Sequence, residues 1–190
     1  MNEQQVLSIL DKTGARLEGH FQLSSGRHGA VYIQCGRVFA RAEQAEALCK
    51  ALAERFSNID AVIGPALGAV IMSYEVSRHL GCRNLFAERE DGKMTLRRGF
   101  TVKPGERLLV VEDAITTGKS ALEVISLCRD LGAEIVGVGS LVDRTANGNP
   151  FGVTFESLIK LDIPTWTEDE CPLCKEGKIP CIKPGSRPGA

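Results

Sequence analysis

Two hydrophobic spacings alternate along this chain. Apolar residues at the i, i+3, i+4 and i+7 spacing of an amphipathic helix recur at about 3–12, 45–56, 69–80 and 120–131. Short, continuously apolar runs lie between and after these segments: DAVIG, NLFAE, ERLLVVED and EIVGVGSLVD. Apolar strands separated by helices are typical of a parallel sheet covered on both faces. We therefore predict an α/β fold with a central, mainly parallel sheet flanked by helices.

Two of the predicted strand-to-helix turns contain glycine, GPALGA at 64–69 and EDAITTGKS at 112–120. In an open parallel sheet, ligands bind outside the carboxyl ends of the strands, next to the switch in strand order. Glycine at such a turn lets backbone N–H groups approach an anion closely. These two turns are therefore the candidate binding site.

The second turn has two chemically different ends. Residues 118–120 match the end of a phosphate-binding P-loop, G-x-x-x-x-G-K-[ST], but the first glycine of that pattern falls on Asp113. The segment 116–120 offers N–H groups, hydroxyls and a helix dipole, which suit a phosphate monoester. Glu112 and Asp113 suit neutral hydroxyls, because ionised carboxylates are strong acceptors. A ligand with both features is a ribose 5-phosphate.

The composition excludes several classes of function. The chain is 43% hydrophobic and 25% charged, with a net charge of -1. It therefore has no broad positive electrostatic potential that would hold nucleic acid. No apolar run approaches the length of about 18 residues that a membrane span needs, and MNEQQVLSILDK does not read as a signal peptide. We expect a single cytoplasmic domain that binds neither nucleic acid nor a membrane.

The stretch VVEDAITTGKS at 110–120 resembles the signature of the type I phosphoribosyltransferases, which bind phosphoribosyl pyrophosphate (PRPP). Within that family the chain is most similar to the orotate phosphoribosyltransferases, through GHFQLSSGRHGAVYI, GPALGA, LVDR and its length. The similarity covers about residues 3–165. It implies a type I phosphoribosyltransferase-like fold with a small N-terminal hood subdomain at about 1–36, a core at about 37–165 and a C-terminal tail at about 166–190.

The resemblance also implies an activity. The family transfers the ribose 5-phosphate group of PRPP to N1 of orotate, which gives orotidine 5′-monophosphate and pyrophosphate in de novo UMP synthesis. Mg²⁺ is bound with PRPP, and catalysis is chiefly electrostatic without a covalent protein nucleophile. By position, the PRPP-binding residues are Glu112, Asp113, Ala114, Ile115, Thr116, Thr117, Gly118, Lys119 and Ser120.

The base-binding residues implied by the resemblance are Thr116 and Arg144. A guanidinium suits the carboxylate and carbonyl edge of orotate, because its planar fork can pair two acceptors at once. The alternative for Arg144 is a solvated arginine at the end of a strand. Tyr32 and Ile33 fall where the family places apolar side chains by the base, and they fit an ordinary core equally well.

The charged segment EREDGKMTLRRGF, residues 88–100, is predicted to be a mobile loop around Gly92. In the family such a loop closes over the site of the neighbouring subunit, so we expect a homodimer in which Arg89 and Lys93 act with Asp113 in catalysis. The chain departs from the family here, with Glu90 where many members have lysine and without the usual loop histidine. Ser24 also replaces a common lysine. A solvated hairpin is the alternative.

The cysteines allow a separate expectation. Cys171, Cys174 and Cys181 supply three thiols, one short of a closed zinc site, and no histidine follows them. We therefore assign no metal ligands and expect a surface tail or a redox-sensitive pair. Structural or solvated roles are expected for His20, His28 and His79. The remaining cysteines, Cys35, Cys49, Cys82 and Cys128, are expected to be small buried hydrophobes.

Two other functions remain open at this point. The PRPP signature does not exclude a phosphoribosyltransferase for another base, which product formation across a panel of bases would reveal. A PRPP-sensing regulator that binds nucleic acid is the other alternative. The net charge of -1 and the lack of a helix-turn-helix pattern or basic arm count against it.

Overall fold

The computed structural model describes residues 1–23 and 25–184, and Ser24 therefore lies outside the described residues. The described residues form six helices and nine strands. In chain order these are α1 (Glu3–Lys12), β1 (Arg16–Gln22), β2 (His28–Ile33), α2 (Gly36–Phe39), α3 (Ala42–Ala53), β3 (Ala61–Pro65), α4 (Val70–Leu80), β4 (Arg83–Glu90), β5 (Lys93–Leu96), β6 (Arg107–Ile115), α5 (Lys119–Asp130), β7 (Glu134–Asp143), β8 (Thr154–Lys160), β9 (Thr165–Trp166) and α6 (Pro172–Glu176).

Six strands form the main sheet in the order β5-β4-β3-β6-β7-β8. All neighbouring strands in it are parallel except β5, which pairs antiparallel with β4. After β3 the chain adds β4 on one side and later returns to add β6 on the other side. The strand order therefore switches between β3 and β6, which places a ligand crevice at their carboxyl ends. The predicted α/β fold class is confirmed.

Both faces of the main sheet are buried, which explains its continuously apolar strands. In β6, Leu109 and Val111 belong to the core cluster that also contains Leu48 of α3 and Met72 of α4. The alternate residues of β6 face the opposite way. Leu108 and Val110 belong to a second core cluster with Ala121, Val124, Ile125 and Cys128 of α5. The period-two alternation of β6 thus sends its side chains to helices on both faces.

Helix α1 begins and ends where its hydrophobic pattern predicted. The side chain of Asn2 accepts from the backbone N–H of Gln5 at 2.9 Å, and the Gln5 side chain accepts from the N–H of Asn2 at 2.9 Å. This reciprocal capping box fixes the start of the helix. Val6 and Leu10 are fully buried and belong to the same core cluster as Leu158 of β8. The helix therefore packs on the body of the protein.

A second, smaller sheet has the order β1-β2-β9 and is antiparallel. Its first two strands lie within the range expected for the hood, and it takes its third strand from residues 165–166. The tail continues this contact, since Ile182 accepts from the N–H of Gln22 at 2.9 Å and donates to the carbonyl of His20 at 2.9 Å. Within the expected surface tail, Ile182 thus pairs with β1 and Cys171 is buried, while residues 175–183 are exposed.

Within the residues that the structure describes, no helix has both the length and the apolar character needed to cross a membrane.

Candidate active site

The acidic pair lies at the carboxyl end of β6, partly buried in the crevice between β3 and β6. Burial raises the pKa of Glu112 to about 7, and the charge of Asp113 adds to the rise, while donors at Ser120 and Ala121 offset part of it. Burial also raises the pKa of Asp113. The N–H of Ala114 donates to Oδ1 of Asp113 at 2.9 Å and offsets part of this rise. Among the ion pairs of residues 1–23 and 25–184, none involves either carboxylate.

The turn that follows the acidic pair presents donors at the start of α5. Gly118 has a φ of +72°, and a Cβ there would lie 2.8 Å from Cε1 of Phe151, so only glycine fits. Thr116, Thr117 and Gly118 donate no backbone hydrogen bond to any group in the described part of the chain. Their N–H groups and the positive end of the α5 dipole are therefore available to an anion.

The GPALGA turn, which begins at the end of β3, also lies beside the acidic pair. A Cβ built on Gly68 would lie 3.4 Å from Oδ1 of Asp113, so the backbone of this turn runs directly beside the acidic pair. At the start of the turn, a Cβ on Gly64 would lie 2.6 Å from the Cβ of Ala69. The Ala66–Leu67 peptide bond between these glycines is cis. The structure thus brings together the two turns that the sequence singled out.

Arg144 follows β7 and lies beside the same crevice. Its backbone N–H donates to the carbonyl of Ile115 at 2.7 Å, which anchors it to the end of β6. Its side-chain Nε is buried and has no hydrogen-bond partner among the described residues. Burial lowers the pKa of the guanidinium. The side chain is thus partly desolvated without a compensating partner among the described residues, which does not fit the alternative of a fully solvated strand-end arginine.

A cavity of about 420 Å³ separates Arg144 from the PRPP turn. Its lining residues are Thr116, Thr117, Arg144, Thr145, Ala146, Asn147, Gly148, Pro150, Ile163 and Thr165. The hydroxyl of Thr145 in this lining is also buried without a hydrogen-bond partner among the described residues. The segment 145–150 was not predicted to line the site. Its Asn, Gly and Pro residues immediately after a strand end are the sequence signal for such a loop.

Tyr32 of the small sheet and Cys35, which precedes α2, also lie in this region. The pKa of Tyr32 is raised by burial and by Asp113 and lowered by Arg144, so its hydroxyl lies within the field of both groups. Cys35 is buried, and its Sγ lies 3.7 Å from the backbone carbonyl of Asp113. Ile33 instead belongs to the main core cluster. A lone cysteine in an apolar segment carries no spacing signal, so sequence could not place Cys35 here.

Residues 88–96 form a β-hairpin and not the predicted mobile loop. Strand β4 pairs with β5 through Arg89↔Met94 and Glu90↔Lys93. The turn residues Asp91 and Gly92 both have positive φ values, 49° and 81°, as a two-residue Asp-Gly hairpin turn requires. The segment is therefore a hairpin where a loop was predicted, and its movement over a neighbouring site stays a prediction.

The hairpin contacts α5 of its own chain. The Nη2 atom of Arg89 lies 2.5 Å from Oε2 of Glu123, and its Nη1 donates to the carbonyl of Gly92 at 2.9 Å. Glu90 pairs with Arg97 at 3.5 Å, and Lys93 is exposed. Sequence reasoning missed Glu123, whose position one turn into an amphipathic helix gave no sign of a partner on the hairpin.

Comparisons with known proteins agree with this geometry. Residues 39–166 match the model of the phosphoribosyl transferase domain. The chain belongs to the phosphoribosyltransferase family. It is 53% identical over 189 residues to the orotate phosphoribosyltransferase of Caldanaerobacter subterraneus subsp. tengcongensis, covering 98% of this chain and 99% of that protein. It is 53% identical over 184 residues to the orotate phosphoribosyltransferase of Thermotoga maritima, covering 96% and 98%.

A solved structure supports the same family membership. The crystal structure of orotate phosphoribosyltransferase from Aeropyrum pernix superposes with a TM-score of 0.72 at 28% identity. The match covers 82% of this chain and 93% of that one. The phosphoribosyltransferase fold predicted from the PRPP signature is thereby confirmed.

Proposed function

We propose that this phosphoribosyltransferase is an orotate phosphoribosyltransferase. It transfers the ribose 5-phosphate group of PRPP to N1 of orotate and releases pyrophosphate, which gives orotidine 5′-monophosphate. The observation that carries the choice of base is Arg144, which lines the cavity beside the PRPP turn and whose buried Nε has no hydrogen-bond partner among the described residues. A desolvated cation without an internal partner favours an anionic ligand. Orotate is a base that carries a carboxylate.

The two ends of the PRPP turn bind different parts of PRPP. The unpaired N–H groups of residues 116–118, together with Lys119 and Ser120, bind the 5′-phosphate at the start of α5. Glu112 and Asp113 accept hydrogen bonds from the ribose hydroxyls, because ionised carboxylates are strong acceptors. Ala114 and Ile115 connect these two ends through the backbone. The proposed PRPP site is therefore the single segment 112–120.

The residues of this crevice also fit Mg²⁺ carried by PRPP. Glu112 and Asp113 are partly buried carboxylates without a cation in the described residues, and hard oxygen ligands of this kind suit Mg²⁺ together with substrate phosphates. When bound, Mg²⁺ neutralises negative charge on the pyrophosphate. The chain's own contribution is to hold the ribose by its hydroxyls, so that C1′ faces the base cavity.

At the base end, Arg144 pairs with the carboxylate and carbonyl edge of orotate, and Thr116 contacts the ring from the PRPP turn. Tyr32 closes this end from the small sheet. N1 of orotate then forms a bond to C1′ as the bond from C1′ to pyrophosphate breaks. The electron pair of the broken bond leaves with pyrophosphate, and the proton of N1 passes to an oxygen of the departing pyrophosphate. Because the transition state has oxocarbenium character, the enclosed cavity also protects it from water.

Arg89 and Lys93 are proposed to stabilise the departing pyrophosphate from the hairpin of a second subunit. The chain offers a surface for a dimer, since Ile71 and Tyr74 of α4 and Leu67 of the preceding GPALGA turn have exposed fractions of 54%, 58% and 88%. The i, i+3 spacing of Ile71 and Tyr74 places them on one side of the helix, where they form an apolar patch. A role in trans requires Arg89 to exchange its contact with Glu123 for pyrophosphate.

The loss of the orotate ultraviolet band, followed with and without PRPP and Mg²⁺, tests the proposed function. We expect orotate to be consumed only when PRPP and Mg²⁺ are both present. Parallel reactions with uracil, adenine and hypoxanthine test the choice of base. Faster product formation from one of these bases would reject orotate as the substrate.

A further inference from the structure

The small sheet and the C-terminal segment share a group of side chains that the proposed reaction does not use. His20 of β1, His28 of β2, Cys171 and Cys174 direct their donor atoms to one point, and these four atoms all lie within 4.8 Å of one another. We call these four residues the His–Cys cluster. Cys181 lies at its edge, with its Sγ 3.9 Å from Nδ1 of His28.

Four of the six donor–donor distances within the His–Cys cluster are close to the edges of a coordination tetrahedron, two of them slightly shorter. Nε2 of His20 lies 3.0 Å from Nδ1 of His28 and 3.5 Å from each Sγ of Cys171 and Cys174. Nδ1 of His28 lies 3.2 Å from Sγ of Cys174. Zinc bonds of about 2.3 Å to sulfur and about 2.0–2.1 Å to nitrogen set tetrahedral ligand–ligand distances of roughly 3.3–3.8 Å. The four donors are therefore spaced as ligands of one small ion would be.

Hydrogen bonds alone do not account for this arrangement. A neutral imidazole nitrogen carries either one proton or one lone pair, so it makes one good hydrogen bond. Nε2 of His20 has three polar neighbours at 3.0–3.5 Å. A cation at the centre of the cluster would accept a lone pair from every member at once.

The orientation of His20 provides independent support. Its other ring nitrogen, Nδ1, lies 3.1 Å from the carbonyl oxygen of Ile179, which accepts only from an N–H group. The proton therefore resides on Nδ1, and Nε2 presents its lone pair to the cluster. An outer N–H donated to a backbone carbonyl is the usual arrangement of a metal-bound histidine.

We propose that the His–Cys cluster is a structural Zn²⁺ site, with His20 Nε2, His28 Nδ1, Cys171 Sγ and Cys174 Sγ as ligands. Two imidazoles and two thiolates are a donor set that suits tetrahedral zinc, and two thiolates neutralise the charge of the ion. Neutrality matters because His20, His28 and Cys171 are only 3%, 3% and 0% exposed. Two of the three thiols singled out in the sequence, Cys171 and Cys174, are thus completed by two histidines from the small sheet, and Cys181 is not a ligand.

The position of the site defines its role. Zinc would fasten residues 171–182 to β1 and β2, and β2 carries Tyr32, which lies within the field of Asp113 and Arg144. The ion would therefore hold the small sheet in place, at a distance from the reacting atoms. Its loss should lower the melting temperature of the whole chain and leave the PRPP turn on β6 intact.

Metal analysis of the full-length protein, purified from zinc-supplemented cells without chelators, tests the proposal. We expect about one zinc per chain in the wild type, since a closed site holds one ion. Cys174→Ser and His28→Ala should lose most of the zinc. Cys181→Ser should retain it, as should Cys82→Ser, a matched thiol variant between α4 and β4.

A second measurement does not depend on the folding of any variant. Zinc-depleted wild type titrated with Co²⁺ should develop the intense visible bands of tetrahedral, thiolate-bound cobalt, and Zn²⁺ should abolish them. The proposal is overturned if the wild type binds neither ion stoichiometrically. It is equally overturned if intact-mass analysis of freshly purified protein shows a disulfide between Cys171 and Cys174 in place of a metal.

Discussion

The PRPP turn and the His–Cys cluster are both compact groups of polar side chains, but the chain builds them in opposite ways. The PRPP turn is one continuous segment, 112–120, held between a buried strand and a helix. The His–Cys cluster joins residues as distant as His28 and Cys174, which are 146 positions apart. The first group leaves its donors and acceptors free for a ligand, whereas the second turns its donors towards one another.

That difference indicates what each group does. Unpaired N–H groups and carboxylates without a cation cost free energy in a crevice unless a ligand binds them. They therefore indicate binding and turnover. Donors that converge on one buried point have no room for an exchanging substrate, so they indicate a resident ion and a structural role. The two groups should therefore respond independently to mutation.

Asp113→Asn should cause the largest loss of activity. The amide accepts less strongly than a carboxylate and places a donor beside the ribose hydroxyls. Losing charge-assisted hydrogen bonds of about 1.5–3 kcal/mol each should lower kcat/KM by about a hundredfold or more. Steady-state kinetics measures this loss. Zinc content and melting temperature should stay at wild-type values, and unchanged catalytic efficiency would reject the proposed contact with the ribose diol.

Acidification should weaken PRPP binding through Glu112. Its pKa of about 7 means that the carboxylate fraction falls about tenfold between pH 8 and pH 6, and only the carboxylate accepts from the ribose. Calorimetric titration with PRPP at pH 8 and at pH 6 should show that the affinity falls about tenfold at the lower pH. The control is Glu112→Gln, since protonation of PRPP itself affects both proteins equally. Equal pH dependence in the two proteins would contradict the role of Glu112.

The same group should act on stability with the opposite sign. A carboxyl whose pKa is raised by folding stabilises the folded protein when it is protonated. The free energy of unfolding of the ligand-free protein should therefore fall as the pH rises from about 4.5 through about 7. Urea denaturation of the wild type and of Glu112→Gln measures this contribution. A rise over that range that is specific to the wild type would show that the pKa of Glu112 is not raised.

Mixed dimers test whether the hairpin serves the neighbouring site. An Arg89→Ala/Lys93→Ala chain and an Asp113→Asn chain should each be nearly inactive alone. After subunit exchange, roughly half of the dimers are mixed and each has one complete site, so about a quarter of wild-type activity should return. Exchange is verified by native mass spectrometry. If activity stays absent after verified exchange, the hairpin acts on its own subunit, as its contact with Glu123 would allow.

Cys174→Ser should have the smallest effect on catalysis. Loss of the zinc ligand should lower the melting temperature, because the C-terminal segment is no longer fastened to the small sheet. Well below that temperature, PRPP affinity should stay within about twofold of the wild type, since the PRPP turn belongs to the main sheet. Thermal melts and calorimetry measure the two effects. A collapse of PRPP affinity in a folded variant would show that the two groups are coupled.

Sequence patterns were most informative where structure is local. The apolar run at 134–143 coincides with β7, and the helix predicted at 120–131 lies within one residue of α5 at both ends. Strand β8 was missed, because as an edge strand it is partly exposed and lacks a continuous apolar run. The β-hairpin at 88–96 was treated as a loop although Asp91-Gly92 is a hairpin signal, since its many charges dominated the interpretation.

The same distinction holds for the sites. Residues 112–120 were predicted as a unit because their chemistry is contiguous, and the fold places them at the switch in strand order. The His–Cys cluster could not be predicted from spacing, because the pairing of residue 182 with β1 decides which histidines meet the cysteines. Arg144 lies between these cases. Its position at the end of a strand could be predicted from the sequence. Its burial could not, because it depends on the loop at 145–150 and on the small sheet.

The central claim is that the unpartnered guanidinium of Arg144 selects a base with a carboxylate. The most direct test is the ratio of kcat/KM for orotate to that for uracil, its decarboxylated counterpart, in the wild type and in Arg144→Ala. We expect this ratio to fall about ten- to hundredfold in the variant through loss of orotate efficiency alone, as removal of a charge-assisted partner predicts. PRPP affinity should be unchanged. An unaltered ratio, or an equal loss for both bases, would contradict the account.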